Sequence, residues 1–222
     1  MDPLTAGALT MARHAPHLVF DAFTIEGGLF TADFLNRIAE ETAGQQTVAD
    51  YRLPKGLQLR DEIGRAWRIA AAHWSELDRA SKGGAERLVQ ATILAMLRDA
   101  FGWLSLKEYL TPPMIGDRTF PITAQALGER LPLLVAPWET GLDTSAPSFG
   151  DSGRRRTPFG LVQDWLNASD GALWGVVTNG RQLRLVRDNA SLTRPAWIEV
   201  DLERIMREQR YADFSVLWLL LH

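Results

Sequence analysis

The run Leu173-Trp174-Gly175-Val176-Val177-Thr178-Asn179-Gly180-Arg181-Gln182-Leu183-Arg184-Leu185-Val186-Arg187-Asp188 decides the fold: two apolar strands flank an Asn-Gly pair. Asn-Gly accepts the two positive φ values of a two-residue type I′ turn, so the spacing predicts a β-hairpin centred on Asn179 and Gly180. Immediately upstream, Phe159 to Ala168 reads as a helix. Downstream, Ala196 to Val200 reads as a last short strand, and Asp201 as the cap of a helix reaching about Arg210.

Working back towards the N-terminus, the stretch from Gly141 to Thr157 carries Gly, Ser and Pro and reads as a long loop containing Arg154-Arg155-Arg156. Arg118 to Leu127 and Leu131 to Ala136, separated by Gly128-Glu129-Arg130, read as a hairpin or adjacent strands. Before them the period changes. Leu88, Val89, Ile93, Leu94, Met96, Leu97 and Phe101 form the broad apolar face of a helix from about Ala85 to Phe101, with Gly102 just beyond its end. From Asp61 to about Ala80, apolar residues at Ile63, Trp67, Ala70, Trp74 and Leu77 define one face of an amphipathic helix. Gly83-Gly84 separates the two helices. Earlier still, Gly44 to Gly56 is loop-like, Thr31 caps a short helix to about Glu41, and Leu18 to Ile25 is extended. Helices and strands therefore mix along the chain in an α/β (α+β mixed) pattern, without the strict alternation of a doubly wound sheet. The expected division is an N-terminal segment and helical lobe over residues 1–105, followed by a mixed-sheet core over 106–222.

A chain of 222 residues, 46% hydrophobic and 23% charged, is long enough to bury a full core. Absence of cysteine removes disulfides, thiolate metal sites and cysteine nucleophiles, and fits a cytoplasmic location. No uninterrupted apolar run approaches the roughly 18 residues of a membrane span, and no membrane partner is expected. A net charge of −3 argues against a wholly basic nucleic-acid-binding surface but leaves room for a local patch. Near the end of the chain, Asp213 reads as an N-cap, and Phe214-Ser215-Val216-Leu217-Trp218-Leu219-Leu220-Leu221 is apolar almost all round. Such a helix needs cover on several sides. Either it closes the core of this domain, or a following or partner polypeptide supplies part of the cover with Leu220 at the contact; the second is the expectation.

Several segments together resemble the N-terminal region of large bacterial adenine-specific DNA methyltransferases. They are Glu26-Gly27-Gly28-Leu29-Phe30 to Phe34-Leu35, Asp61-Glu62-Ile63-Gly64-Arg65-Ala66-Trp67, Asp99-Ala100-Phe101-Gly102-Trp103, Phe120-Pro121, Leu133-Leu134-Val135-Ala136, and Val176 to Leu185. The resemblance is to the fused type IIG restriction-modification enzymes and to the methylases of phage-defence systems such as BREX and DISARM. It implies that a methyltransferase using S-adenosylmethionine lies further along the polypeptide, since neither a cofactor loop nor an Asn-Pro-Pro-aromatic motif occurs here. This chain itself is expected to hold no cofactor.

The resemblance also implies a core similar to the PD-(D/E)xK nuclease fold. There, an aspartate at the start of one strand, and an acid, one spacer and a lysine on the next, would hold Mg²⁺ and position hydroxide against phosphate. Carried onto this chain, the aspartate position is Ile122, the acid position Ala136 and the lysine position Trp138. The site so aligned has no metal ligand. Gln163 matches a glutamine often found in the helix that follows, although a surface glutamine on a helix is the commoner explanation. Asp117, Glu139 and Asp143 are the fallback acids should the carboxylates have moved, with no lysine beside them. His14 and His17 have metal-compatible spacing in the N-terminal segment; His73 and His222 have no obvious catalytic pairing.

For DNA, the leading candidates are Arg154, Arg155 and Arg156, three guanidinium groups able to follow a phosphate backbone, together with Arg181. Strand alternation sets Arg184 on the face opposite Arg181 and Arg187. Of eight tryptophans, Trp67, Trp74, Trp103, Trp165, Trp174 and Trp218 sit at core positions, whereas Trp138 after Pro137 is expected to be exposed for a partner. The reading is a catalytically silent, nuclease-like domain that docks DNA or another subunit of a defence complex. Two alternatives stand beside it: a Mg²⁺-dependent endonuclease domain with relocated acids, and a protein-binding assembly module.

Overall fold

A computed structural model describes residues 19–28, 30–151, 154–187 and 196–222. Strand β1 (Phe23–Glu26) is followed by α1 (Ala32–Ala39), whose cap is Thr31: its hydroxyl accepts from the Phe34 amide at 3.1 Å. Next come α2 (Leu59–Lys82) and α3 (Glu86–Asp99). On α2 the buried residues Ile63, Ala66, Ala70, Trp74, Leu77 and Ala80 recur at helical spacing, so one stripe faces inward along its whole length. Trp67 flanks that stripe half-buried and meets Phe214 edge-on at 5.1 Å.

Seven short strands follow: β2 (Lys107–Glu108), β3 (Met114–Ile115), β4 (Arg118–Thr119), β5 (Ala124–Ala126), β6 (Leu131–Val135), β7 (Ala146–Asp151) and β8 (Arg154–Arg156). The stretch expected as one strand from Arg118 to Leu127 is divided. Pro121 has no N–H to donate, so β4 turns aside to pair with β3, and β5 begins beyond the proline to pair with β6. The expected loop from Gly141 to Thr157 is likewise corrected: β7 and β8 pair there as a ribbon. Then come α4 (Pro158–Ala168), β9 (Trp174–Thr178), β10 (Gln182–Arg187), β11 (Ala196–Asp201), α5 (Leu202–Arg207) and α6 (Tyr211–Leu221).

The main sheet has seven strands in the order β1-β11-β10-β9-β6-β5-β2. Among the described residues only β6 and β9 pair parallel, Leu133 opposite Val176, and α4 is the crossover between them. Both central strands are buried on two faces. In β6, Leu133 faces the layer of α2, α3 and α6, whereas its neighbour Leu134 faces α4; Val176 and Val177 divide in the same way. This is why both strands read as continuous apolar runs without polar alternation. On the α4 side the approach is close: a Cβ at Gly175 would lie 2.5 Å from Val162 Cγ1. The N-terminal part of the chain is tied into the same unit, because β1 pairs with β11 and the helices share one apolar core with the sheet.

The predicted hairpin is present, but its turn is shifted by one residue. Thr178 faces Leu183, and the Asn179 amide donates to the Gln182 carbonyl at 3.2 Å, so the central pair is Gly180-Arg181. Among the four turn residues only Gly180 has positive φ, +86°, which is the sign pattern of a type II′ turn with glycine first. Asn179 is released for another task. Its buried side-chain oxygen accepts from the amides of Arg181 (3.0 Å) and Gln182 (2.8 Å), taking hydrogen bonds that a backbone carbonyl would otherwise receive.

Helix α6 is covered by this chain itself, which corrects the expectation that it awaits a neighbour. Phe214, Val216 and Trp218 are fully buried, and Leu220 is half-buried against the same core. The helix also starts earlier than Asp213 had suggested. Asp213 lies inside it, accepting from the Ala22 amide at 3.2 Å and from Arg210 Nε at 3.1 Å. At the other end, Tyr51 Oη donates to the Leu219 carbonyl (3.1 Å) and Trp103 Nε1 to the Leu221 carbonyl (2.7 Å). Two carbonyls that the helix cannot satisfy internally are thus met by distant side chains.

Leu217→Ala should therefore destabilise the chain in isolation by about 2–5 kcal/mol, lowering its melting temperature by roughly 5–15 °C. Gly180→Val should cost about 1–3 kcal/mol in backbone strain, with an added collision against the Trp138 ring, 3.0 Å from the new Cβ. Scanning calorimetry checks both. A near-neutral Leu217→Ala would mean that α6 is not part of this core.

Candidate nucleic-acid interface

Because β6 and β9 are parallel, their carboxyl ends finish together, at the position where open α/β sheets commonly receive ligands. The antiparallel strand β5 begins at this same end, and α4, returning from β6 to β9, begins here too. The segment Ala136-Pro137-Trp138-Glu139-Thr140 leaves β6 beside the β9–β10 turn. Asn179 fastens the two, donating from Nδ2 to the Thr140 carbonyl at 3.0 Å. Trp138, expected to be exposed, is half-buried against Trp74 at a ring separation of 5.7 Å and against Gly180. It fills the space over the turn.

The positions matched to nuclease chemistry converge here as apolar structure. Ile122, just before β5, and Ala136, just after β6, are 2% and 1% exposed and lie in the layer under α4. Trp138 lies in the opposite layer with Trp74. An acid and a lysine separated by one residue share a face only while the strand continues. Here the chain turns at Pro137, so restoring both side chains would send them to different sides of the sheet.

The fallback acids are not brought together. Asp117 is exposed in the turn between β3 and β4, and Glu139 is exposed beyond β6. Asp143 is bound to Arg184, whose Nη1 and Nη2 reach its two oxygens at 2.9 and 2.7 Å. Among the described residues, no three of His, Asp and Glu are grouped to hold a metal ion. His14 and His17 lie outside the described residues. His73 pairs with Asp99 at 2.8 Å between α2 and α3, and His222 stacks on Trp218 at 4.1 Å, its pKa lowered by burial. Gln163 is half-buried on α4.

Arg184 is the polar anchor that sequence reasoning missed. Its side chain is 4% exposed and lies between the rings of Phe159 (4.6 Å) and Trp197 (4.1 Å). Besides Asp143 it holds Glu199, its partner across β10 and β11, at 2.9 Å from Nε and 2.6 Å from Nη2. An arginine inside Leu-Arg-Leu-Val is a visible anomaly in an apolar strand. Its two carboxylates are visible only once strand register and loop path are known.

The four arginines expected on DNA fare differently. Arg181 is half-exposed and paired with Glu203 at 2.8 Å. Arg155 is exposed, and Arg156, its neighbour in β8, projects from the other side of the ribbon to Asp164 of α4 at 2.5 Å. The Arg154 side chain lies outside the described set. Arg118 joins them unforeseen: it reaches the same Asp164 oxygen at 3.3 Å and lies 4.9 Å over the Phe120 ring. The result is a small basic patch at α4, two guanidinium groups around one carboxylate.

No family model, curated protein or solved structure matches the chain.

Hydrogen bonds from Arg184 hold the Asp143 carboxyl below its ordinary value, against a smaller opposing effect of burial. Its ionised form therefore stabilises the fold above the unfolded value near pH 3.9, and this contribution is lost as pH falls through the depressed folded value. Asp143→Asn should lower stability at neutral pH, with the difference from the unaltered chain closing as pH falls through the depressed folded value. Arg184→Met, which strands the largely buried Glu199, should cost about 3 kcal/mol at pH 7. Urea titrations across pH 2.5–7 test both; a pH-independent Asp143→Asn effect would remove the ion pair from the account.

Proposed function

We propose that this chain is a nuclease-like domain without a cleavage site, which docks duplex DNA for a bacterial DNA-modifying defence enzyme. In this reading the chemistry belongs to an adenine-specific methyltransferase elsewhere in the polypeptide, which brings the S-adenosylmethionine. One observation carries the proposal. Ile122 and Ala136, the positions matched to metal-binding acids, are buried apolar residues at the shared end of β5 and β6, while Arg118 and Arg156 stay partly exposed around Asp164 of α4.

Docking without cleavage needs only phosphate contacts, which orient a protein on the duplex and carry no sequence information. The patch suits that task, since its arginines stand on the β4 strand and the β8 ribbon with partly exposed guanidinium groups. Base selection would then rest with the rest of the enzyme. Among the described residues, no helix is long and apolar enough to cross a membrane. A second docking partner, another protein subunit, is favoured by Leu104 and Leu110, which stand 85% and 101% exposed.

The test is a labelled duplex offered to the chain with Mg²⁺ or Mn²⁺ over a range of salt. Binding should weaken steeply with salt, by about 0.9 log units of affinity per log unit of salt for each phosphate contact. The duplex should remain intact. Metal-dependent nicking that disappears in Asp117→Ala or Glu139→Ala would replace the docking reading by a rearranged nuclease. Absence of binding would leave the subunit interface as the docking surface.

A further inference from the structure

We propose that Arg118 and Arg156 form a clamp for one DNA phosphate, and that Asp164 occupies this clamp when DNA is absent. The inference rests on the reading of the chain as a DNA-docking domain and adds to it the contact residues and a built-in competitor.

The geometry begins with a shared atom. Arg118 Nη2 and Arg156 Nη1 approach one oxygen of Asp164, Oδ2, at 3.3 and 2.5 Å. They come from separate parts of the chain, Arg118 from β4 and Arg156 from β8, and Asp164 lies on α4 between buried Val162 and Trp165. Pinning the ribbon to α4 would need one arginine. Two guanidinium groups converging on a single carboxylate oxygen leave one positive charge and most of the guanidinium donors unused. A phosphodiester, with two charged oxygens in place of the one used here, matches that pair better.

The clamp is also held in place before any ligand arrives. Arg118 lies over the ring of Phe120, which is 1% exposed and meets Trp165 edge-on at 5.2 Å, so the support beneath it is core. Arg156 is fixed by pairing with Ala146 across the ribbon. Both remain accessible from outside: their side chains are 50% and 36% exposed, against 24% for Asp164. A phosphate approaching from solvent meets the arginines first. Asp164 lies behind them as an anion that the phosphate must outcompete, so it lowers affinity while keeping two like charges together.

This arrangement reverses the usual expectation for an acid at a basic site. Asp164→Asn should tighten binding of a labelled 25-base-pair duplex by about threefold, because it removes a competing charge and leaves the arginines in place. Arg118→Gln and Arg156→Gln should each weaken binding by about tenfold at low salt and reduce the log–log salt slope by about 0.9. In the Arg118→Gln/Arg156→Gln background, Asp164→Asn should lose its effect, since a competitor matters only where there is a clamp to compete for. Inorganic phosphate at millimolar concentration should displace the duplex no better than chloride of equal ionic strength if the clamp serves a polymer backbone.

The experiment uses the full chain and fluorescence anisotropy, with melting temperatures confirming that each variant is folded. Weakened binding in Asp164→Asn would make the acid a positioning residue and overturn the competitor. Salt slopes unchanged in both arginine variants, with the unaltered chain still binding, would overturn the clamp alone. If the unaltered chain binds no duplex, the docking reading falls and the clamp falls with it. Strong selective displacement by inorganic phosphate would overturn the assignment to DNA in favour of a free-anion site.

Discussion

The parallel pairing of β6 with β9 is the constraint on which the rest of the structure depends. Two strands that run the same way cannot be joined by a tight turn, so the chain must leave the sheet and return, and α4 is that return path. Once α4 covers one face, the other face needs cover of its own, which α2, α3 and α6 provide. The demand propagates to single side chains. Leu133 and Leu134 are adjacent and both fully buried in different layers, and Gly175 carries no Cβ because α4 lies too near. Parallel strands also end together, which brings the loop after β6 against the β9–β10 turn.

The same constraint makes the ends of β5 and β6 apolar. Ile122 and Ala136 occupy strand ends in the layer beneath α4, where apolar side chains add to the core and carboxylates would need a counter-charge. Arg184, the one deeply buried charge of the region, is satisfied from two sides and between two rings, so it holds the loop after β6 to the sheet and is not available to a ligand.

Legibility in the sequence follows the range of the interaction involved. Helices α2 and α3 were legible because their apolar stripes are local and long, and the β9–β10 hairpin because its strands are apolar runs around a glycine. The turn type was not, since Asn179 looks like a turn centre until its side chain is seen to bond the Thr140 carbonyl. The stretch from 146 to 156 reads as loop because of its Gly, Ser and Pro, yet residues 146–151 and 154–156 pair as an irregular ribbon. Trp138 and α6 were misjudged for one reason: an apolar surface read alone looks unpartnered. Their partners, Trp74 for the first and Phe101, Tyr51 and Trp67 for the second, lie far away in sequence. The arginine patch was half legible. Three consecutive arginines announce themselves, but neither Arg118 nor Asp164 can be assigned to them before the chain is folded.

The Asn179-Gly180 turn has a consequence for the lifetime of the molecule. In an Asn-Gly pair the glycine nitrogen can attack the asparagine side-chain carbonyl, expelling ammonia and closing a five-membered imide that reopens partly as isoaspartate. Here the attacking nitrogen donates to Thr178 Oγ1 at 3.0 Å, while the amide that would leave is held by the Thr140 carbonyl and the whole side chain is 2% exposed. The hydrogen bonds that join β6 to the hairpin therefore also restrain both reacting groups. Chemical ageing at this bond becomes a measure of how often that end of the sheet opens.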